Sequence, residues 1–295
     1  MDEHDRLAER FEQHRARLRA VAHRMLGSLT EAEDAVQETW LRLDRAGAGG
    51  IENPAAWLTT VVSRICLDML RARAARREEP ADAVPLPDGS EPEQEVLLMD
   101  SVGRALLVVL DRLGPAERVA FVLHDLFAVP FEEIAPIVGR SPVTTKKLAS
   151  RARHKVHGDP VVPEADLARQ RDVVDAFLAA ARGGDLDGLL AVLAPGVVRR
   201  ADPAALPPGV PAEVRGARAV IRETAVLGRR ARHAQTALVN GAVGVVVAPR
   251  GRLVLVLVPT VEDGRIAAYE VIAAPARLAA LDLALLDPAP AAFST

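Results

Sequence analysis

Disulfide chemistry is the first thing this sequence excludes. One cysteine, Cys66, stands among 295 residues, so no cross-link can form within the chain. A lone thiol inside an apolar helical pattern suits a reducing compartment and a packing role. Aromatic residues are scarce at 3 %, so any core must be built from Leu, Val, Ile and Ala. Long apolar runs are missing as well. The longest, Leu253 to Pro259, falls far short of a membrane-spanning helix, which needs about 20 residues. The charged opening MDEHDRLAERFEQ is unlike a secretory signal, and the expected location is the cytoplasm. Neither sign of charge dominates, with a formal net charge of -3, so bulk electrostatics do not announce nucleic acid and local runs carry the information. There is no Walker-type loop, nucleophile motif or metal-ligand cluster. No cofactor, metal or catalytic residue is expected.

What is present is a local concentration of positive charge. The stretch FEEIAPIVGRSPVTTKKLASRARHKV, residues 131–156, reads as two short helices around a tight turn. Phe131, Ile134 and Ile137 make an apolar face on the first, although Pro136 inside it removes a backbone hydrogen bond. Gly139 can end that helix, and Ser141-Pro142 reads as an N-cap followed by proline at the first helical position. In the second helix Thr145, Ala149, Ala152 and Val156 share a narrow small-residue face. No acidic residue stands between Glu133 and Asp159. A capped turn, a small buried face and a basic outer face are what a helix-turn-helix lays into the major groove. A solvated face of a bundle is the competing reading of the same basic helix. The predicted DNA contacts are Arg140, Ser141, Thr144, Lys146, Lys147 and Arg151, whose base and phosphate roles the sequence does not separate.

Upstream, residues 4–26 read as a helix ended by Gly27. Thr30 with Glu33 suggests a capping box for a second helix, whose outer side is acidic. GAGG at 47–50 breaks the chain. A third helix starts at Asn53-Pro54 and gathers Arg64, Arg71, Arg73, Arg76 and Arg77, more cations than dipole capping requires. From Glu78 to Asp100 there are eight acidic residues and no basic one among several prolines. That composition predicts an extended linker to about Pro92, with a further helix from Val96. Residues 104–127, divided at Gly114-Pro115, would support the helix-turn-helix.

AEDAVQETWLRL, NPAAWLTTVVSRICLDMLRARAARR and LGPAERVAFVLHDLFAVPFEEIAPIVGRSPVTTKKLASRARHKV together resemble the extracytoplasmic-function (ECF) sigma factors, over about half the chain. The resemblance implies a promoter -10 domain at 1–77, an acidic linker at 78–103 and a -35 domain at 104–157. By the same resemblance Asp34, Gln37, Glu38 and Trp40 would dock on the clamp helices of bacterial RNA polymerase core, and Asn53, Trp57, Arg64, Arg71 and Arg73 would meet the -10 element. A pocket for an extruded base is expected in the loop from Ile51 to Trp57; a core role for Trp57 stays equally open. The acidic linker could occupy a basic polymerase channel or mask the chain's own basic helices.

After a break at 158–166 the pattern becomes mixed. Two helices turn at Gly183-Gly184, a strand lies near Val197 to Arg200, and a helix precedes four strand-like runs. Asn240-Gly241, Pro249-Arg250-Gly251 and Glu262-Asp263-Gly264 separate those runs as hairpin turns. The pattern predicts α+β, with a curved antiparallel sheet wrapped on helices. DVVDAFLAAARGGDLDGLLAVLAPGVVRRAD resembles SnoaL-like members of the NTF2-like superfamily, a cone with an interior pocket, here over 167–290. Sigma factors carrying such an extension form a SigJ-like group, in which the extension modulates the sigma domains by intramolecular contact. Two motifs expected of that group differ here, at Asp202 to Gly209 and at Ala273 to Leu278. Asp202, His233 and Tyr269, with Glu270, are the candidates for a pocket holding an unknown small ligand. The overall expectation is two all-α helical domains followed by an α+β cone, acting as a sigma factor modulated by its own C-terminal domain. A ligand-sensing helix-turn-helix regulator and a SnoaL-type cyclase or isomerase with a helical appendage are the alternatives.

Overall fold

The computed structural model describes residues 3–47, 51–77 and 103–286. Most of the acidic linker, including the helix expected from Val96, lies outside them. Packing divides the described chain into two units. Residues 3–77 and 110–155 fall in the first, 103–109 and 156–286 in the second.

The first unit is helical. α1 (Glu3–Leu26), α2 (Leu29–Ala46) and α3 (Pro54–Arg77) are followed by α4 (Arg104–Leu110), of which only the last residue belongs here. α5 (Pro115–Phe121) continues into a π-helical turn, Val122–Leu126, and then come α6 (Phe131–Val138) and α7 (Pro142–His157). Leu18, Val21 and Met25 of α1 meet the inner faces of α2 and α3, which bury Ala35, Val36, Leu58, Val62 and Cys66. The start of α2 differs from the expected capping box. Its cap is Ser28, whose Oγ accepts the Glu31 N–H, and Thr30 already lies inside the helix. Serine wins because its extended backbone places the hydroxyl under the free N–H groups of the first turn.

Polar groups stitch α5 to α1–α3 inside this unit. Arg118 is 2 % exposed. Its guanidinium donates to the Arg24 carbonyl oxygen at 3.4 Å and to Asp111 at 3.3 Å. Arg17 and Arg24 lie over the Phe127 ring at 5.8 and 5.2 Å.

The second unit is α+β. α8 (Glu164–Gly183) and α9 (Leu186–Val192) lead into β1 (Leu193–Ala201), β2 (Glu213–Arg215) and α10 (Ala217–Leu227). The strands β3 (Ala234–Val239), β4 (Ala242–Val247), β5 (Leu255–Glu262) and β6 (Arg265–Ile272) follow, then α11 (Pro275–Ala280) and the short β7 (Leu283–Ala284). One seven-stranded sheet has the order β2-β1-β6-β5-β4-β3-β7. It is mixed and not purely antiparallel as predicted, because β1 pairs with β6 in parallel. α10 and the β3–β5 meander lie between them in sequence, a connection long enough to bring the two strands into parallel register. Two turns follow the predicted chemistry. Asn240-Gly241 joins β3 to β4 and Asp263-Gly264 joins β5 to β6, and all four residues have positive φ, as a two-residue I′ hairpin demands. The core forms between α8, α10 and one side of the sheet, with Phe177 tilted against Tyr269 at 5.8 Å.

Candidate nucleic-acid interface and C-terminal cavity

α6 ends at Gly139, in the left-handed conformation with φ 68°. Ser141 Oγ then accepts the Thr144 N–H at 3.3 Å, capping α7. Thr145, Ala149, Ala152 and Val156 are fully buried, so one narrow face of α7 packs inward. Arg140, Ser141, Thr144, Lys146, Lys147 and Arg151 are all exposed. Two other cations of α7 are neutralised within the fold. Arg153 pairs with Asp125 and Lys155 with Glu117, both at 2.7 Å. The cations outside these two pairs lie in the first three turns of the helix and the turn before it. Pro136 does not break α6. It lies on the exposed side, and its carbonyl oxygen accepts from Arg64 at 3.4 Å.

The α3 residues separate into two groups. Asn53 and Arg71 are exposed, and Asn53 Oδ1 caps α3 by accepting the Ala56 N–H at 3.1 Å. Trp57 is half-buried. Arg71 lies 3.5 Å from Asp68, a weak exposed pair. Arg73 is drawn into the fold instead. It donates to the Leu26 carbonyl oxygen at 3.0 Å, pairs with Glu31 and approaches Asp111 at 4.0 Å. In this arrangement Arg73 holds helices together and does not face solvent as an uncommitted cation.

In the same unit, α1 and α2 border a groove of about 460 Å³ lined by Phe11, Val36, Gln37 and Trp40, with Glu12 and Glu33 at its polar edge. Trp40 leans on Phe11, ring centres 5.2 Å apart. Asp34 is exposed outside the groove lining, and Glu38 pairs with Arg42.

Residues 10–76 match Sigma-70 region 2, and residues 103–156 match Sigma-70, region 4. The chain is 40 % identical over 286 residues to the ECF RNA polymerase sigma factor SigJ of Mycobacterium tuberculosis, covering 90 % of this chain and 91 % of that protein. The chain belongs to the ECF RNA polymerase sigma factors. It is also 43 % identical over 208 residues to the probable ECF RNA polymerase sigma factor SigI of the same species, covering 68 % of this chain and 72 % of that one. The crystal structure of Mycobacterium tuberculosis SigJ aligns with 92 % of this chain and 98 % of its own, at 35 % identity and a TM-score of 0.46. The region 4 match begins at residue 103, whereas packing assigns residues 103–109 of this sigma factor to the C-terminal unit.

The C-terminal unit encloses a half-open cavity of about 100 Å³. Phe177 and Leu178 of α8 and residues of β3 to β6, Tyr269 among them, form apolar walls. One ion pair enters it. Arg199, 2 % exposed, pairs with Glu223 and donates to the carbonyl oxygens of Pro211 and Ala212 at 2.8 and 3.1 Å. The three predicted pocket residues do not converge. Tyr269 lines the cavity; Asp202 and His233 are not among its lining residues. Asp202 stands just past the end of β1. It accepts the N–H groups of Ala273 and Ala274 at 3.0 Å each and pairs with Arg277 at 2.5 Å. Burial opposes its ionisation, but those two N–H groups and the guanidinium outweigh that effect and hold the carboxyl below its usual range. Glu270 binds the same Arg277 at 2.8 Å. His233 is buried, its Nε2 facing Arg232 Nε at 2.9 Å.

The sequence reading missed Arg199 and Glu223. The signal was parity: Val197, Arg199 and Ala201 alternate along β1 and all point inward.

Proposed function

We propose that this protein recruits bacterial RNA polymerase core to promoters as an ECF sigma factor, with the first turns of α7 reading the -35 element. The observation that carries this is that Arg140, Lys146, Lys147 and Arg151 are exposed at the start of a helix whose later cations, Arg153 and Lys155, form ion pairs with Asp125 and Glu117. Cations left in water at a capped helix start are positioned for phosphate and base edges. Asn53, Trp57, Arg64 and Arg71 are assigned to the -10 element. Arg73 joins them only once its bonds to Glu31 and Leu26 are released. The α1–α2 groove, with Gln37 and Trp40 in its wall and Asp34 and Glu38 beside it, is assigned to the clamp helices of the polymerase. The cytoplasm follows from that partner.

The C-terminal unit is assigned a regulatory role without chemistry. Asp202, Glu270 and His233 are held by arginines, and among the described residues no acid and base are poised across the cavity for proton transfer. The domain bounds 1–77, 104–157 and 167–290 serve as functional bounds, and residues 104–109 of α4 pack in the C-terminal unit. In vitro transcription with core polymerase tests the reading. The full-length protein should support promoter-dependent initiation, and K146A/K147A should lower it at least tenfold. Binding to promoter DNA equally well without core polymerase would instead identify an ordinary helix-turn-helix regulator.

A further inference from the structure

The strand β3 faces two ways. Ala234 lies in the cavity wall. Gln235 follows it, and alternation sends that side chain to the other side of the sheet. There Gln235 Oε1 accepts the Ala105 N–H at 2.9 Å, in the first turn of α4, and its amide lies against Gly103. β3 also pairs with β7, Leu238 opposite Ala284 and Val239 opposite Leu283. The next residue, Leu285, donates its N–H to the Val156 carbonyl oxygen at 2.8 Å, in the last turn of α7. The chain thus leaves this unit for the helix-turn-helix at one bond to β3 and returns beside β3's own edge partner. β3 is thus bonded, directly or through β7, to both ends of the DNA-reading segment.

The chemistry of the cavity restricts what can displace it. Its walls are aliphatic and aromatic, and its one cation is already matched by Glu223 and two carbonyl oxygens. An anionic ligand would have to take Arg199 away from Glu223 and leave a partly buried carboxylate without its partner, which is strongly unfavourable. A cation would meet Arg199 itself. A neutral ligand disturbs nothing and gains apolar contact. About 100 Å³ suits a molecule of roughly the size of a single aromatic ring, given that a 150 Å³ apolar cavity takes up benzene.

We propose that this cavity binds a small neutral apolar molecule, and that β3 transmits its occupancy through Gln235 to the start of the helix-turn-helix segment. The inference deepens the regulatory reading above, but its first test needs neither polymerase nor DNA, so the two can fail separately. Fluorobenzene serves as the probe and 4-fluorobenzoate as its charged counterpart, both followed by 19F NMR on the full-length protein. Saturable binding of fluorobenzene is expected, with at least tenfold weaker binding of the benzoate. V271F and A181L, which fill the cavity from opposite walls, should each weaken fluorobenzene binding at least fivefold while keeping the native circular dichroism spectrum. Amide hydrogen exchange then reads the relay. Fluorobenzene should change exchange at residues 103–110 at least threefold in the wild-type protein. Q235A should bind it with unchanged affinity and show no such change. Absent saturation, equal binding of the benzoate, or full binding by both filled variants would overturn the site. Binding without an exchange change at 103–110, or the same change in Q235A, would overturn the relay.

Discussion

Two glycines in equivalent turns offer a controlled measurement of how firmly the chain leaving α7 is seated on the C-terminal sheet. Gly241 and Gly264 each hold the second position of a two-residue hairpin, at φ 77° and 73°. Their surroundings differ. A Cβ on Gly264 would meet nothing within 4 Å. On Gly241 it would come within 2.8 Å of the Asp159 carbonyl oxygen and of Val161 Cγ1, and within 2.9 Å of the Val161 N. That close approach exists because Val161 donates its N–H to the Gly241 carbonyl oxygen at 2.9 Å, laying residues 159–161 over the turn.

Gly264→Ala should therefore cost only the left-handed backbone term, about 1–2 kcal/mol. Gly241→Ala carries the same term plus forced displacement of backbone, about 1–3 kcal/mol more. Their sum is about 2–5 kcal/mol. At roughly 3 °C per kcal/mol for a domain of this size, the expected drops in Tm are about 3–6 °C for G264A and about 6–15 °C for G241A. Differential scanning calorimetry at neutral pH reads both. Val161→Gly in the G241A background removes the Cγ1 part of the clash and should recover some of the difference. Equal shifts for the two alanine variants would refute the claim that residues 159–161 are seated on this turn.

Three further outcomes follow from the first unit. His23 is buried among Arg24, Arg19 and Arg118; desolvation first, and then those cations, push its pKa down to about 4 from an ordinary 6.5. The unfolded chain then binds the extra proton between those values, so stability should be intact above pH 6.5 and fall as pH drops toward 4, by up to about 3 kcal/mol; urea melts of H23Q should show that slope flattened between pH 7 and 4. Burial pushes the Cys66 thiol up to about 12, so iodoacetamide should leave it unmodified in the native protein at pH 8 and label it after unfolding. For the holoenzyme on promoter DNA, K146A should lower the slope of log K against log salt by roughly 1, as one lost phosphate contact predicts, while K155A should leave that slope unchanged because Lys155 is paired with Glu117.

Periodicity and turn chemistry made much of this fold legible. The small-residue face of α7, the break at Gly139 and the two glycine hairpins are local facts. The backbone has little choice there, and the residues that satisfy it are readable one turn at a time. The parallel pairing of β1 with β6 was not readable in that way. It joins residues about 70 positions apart in register, such as Arg199 with Tyr269, and no local signal distinguishes a parallel from an antiparallel neighbour. Arg73 shows the same limit at a single residue. Its place in a run of arginines suggested DNA, yet Glu31 and the free carbonyl oxygen of Leu26 at the end of α1 give it an internal use. The chain does not announce which of several like charges a partner from another helix will claim.

Asp202, His233 and Tyr269 are reactive types near strands, and chemistry-bearing residues are also the ones a fold most needs to satisfy when it buries them. Asp202 is satisfied by Arg277 and two backbone N–H groups, which ties α11 to the end of β1. The residue that does enter the cavity, Arg199, is adjacent in sequence to Arg200. Their opposite fates follow from strand parity alone: Arg200 points out to Glu213 at 2.9 Å, and Arg199 points in. A charge forced inward must find its counter-charge on a neighbouring element, and α10 supplies it with Glu223. Replacing Glu223 with Gln should therefore destabilise the C-terminal unit more than replacing Glu213, since only the former leaves a buried guanidinium uncompensated, by about 3–5 kcal/mol against less than about 1 kcal/mol. Thermal melts of E223Q and E213Q measure that difference, and comparable losses would mean that Arg199 draws its compensation from the Pro211 and Ala212 carbonyl oxygens instead.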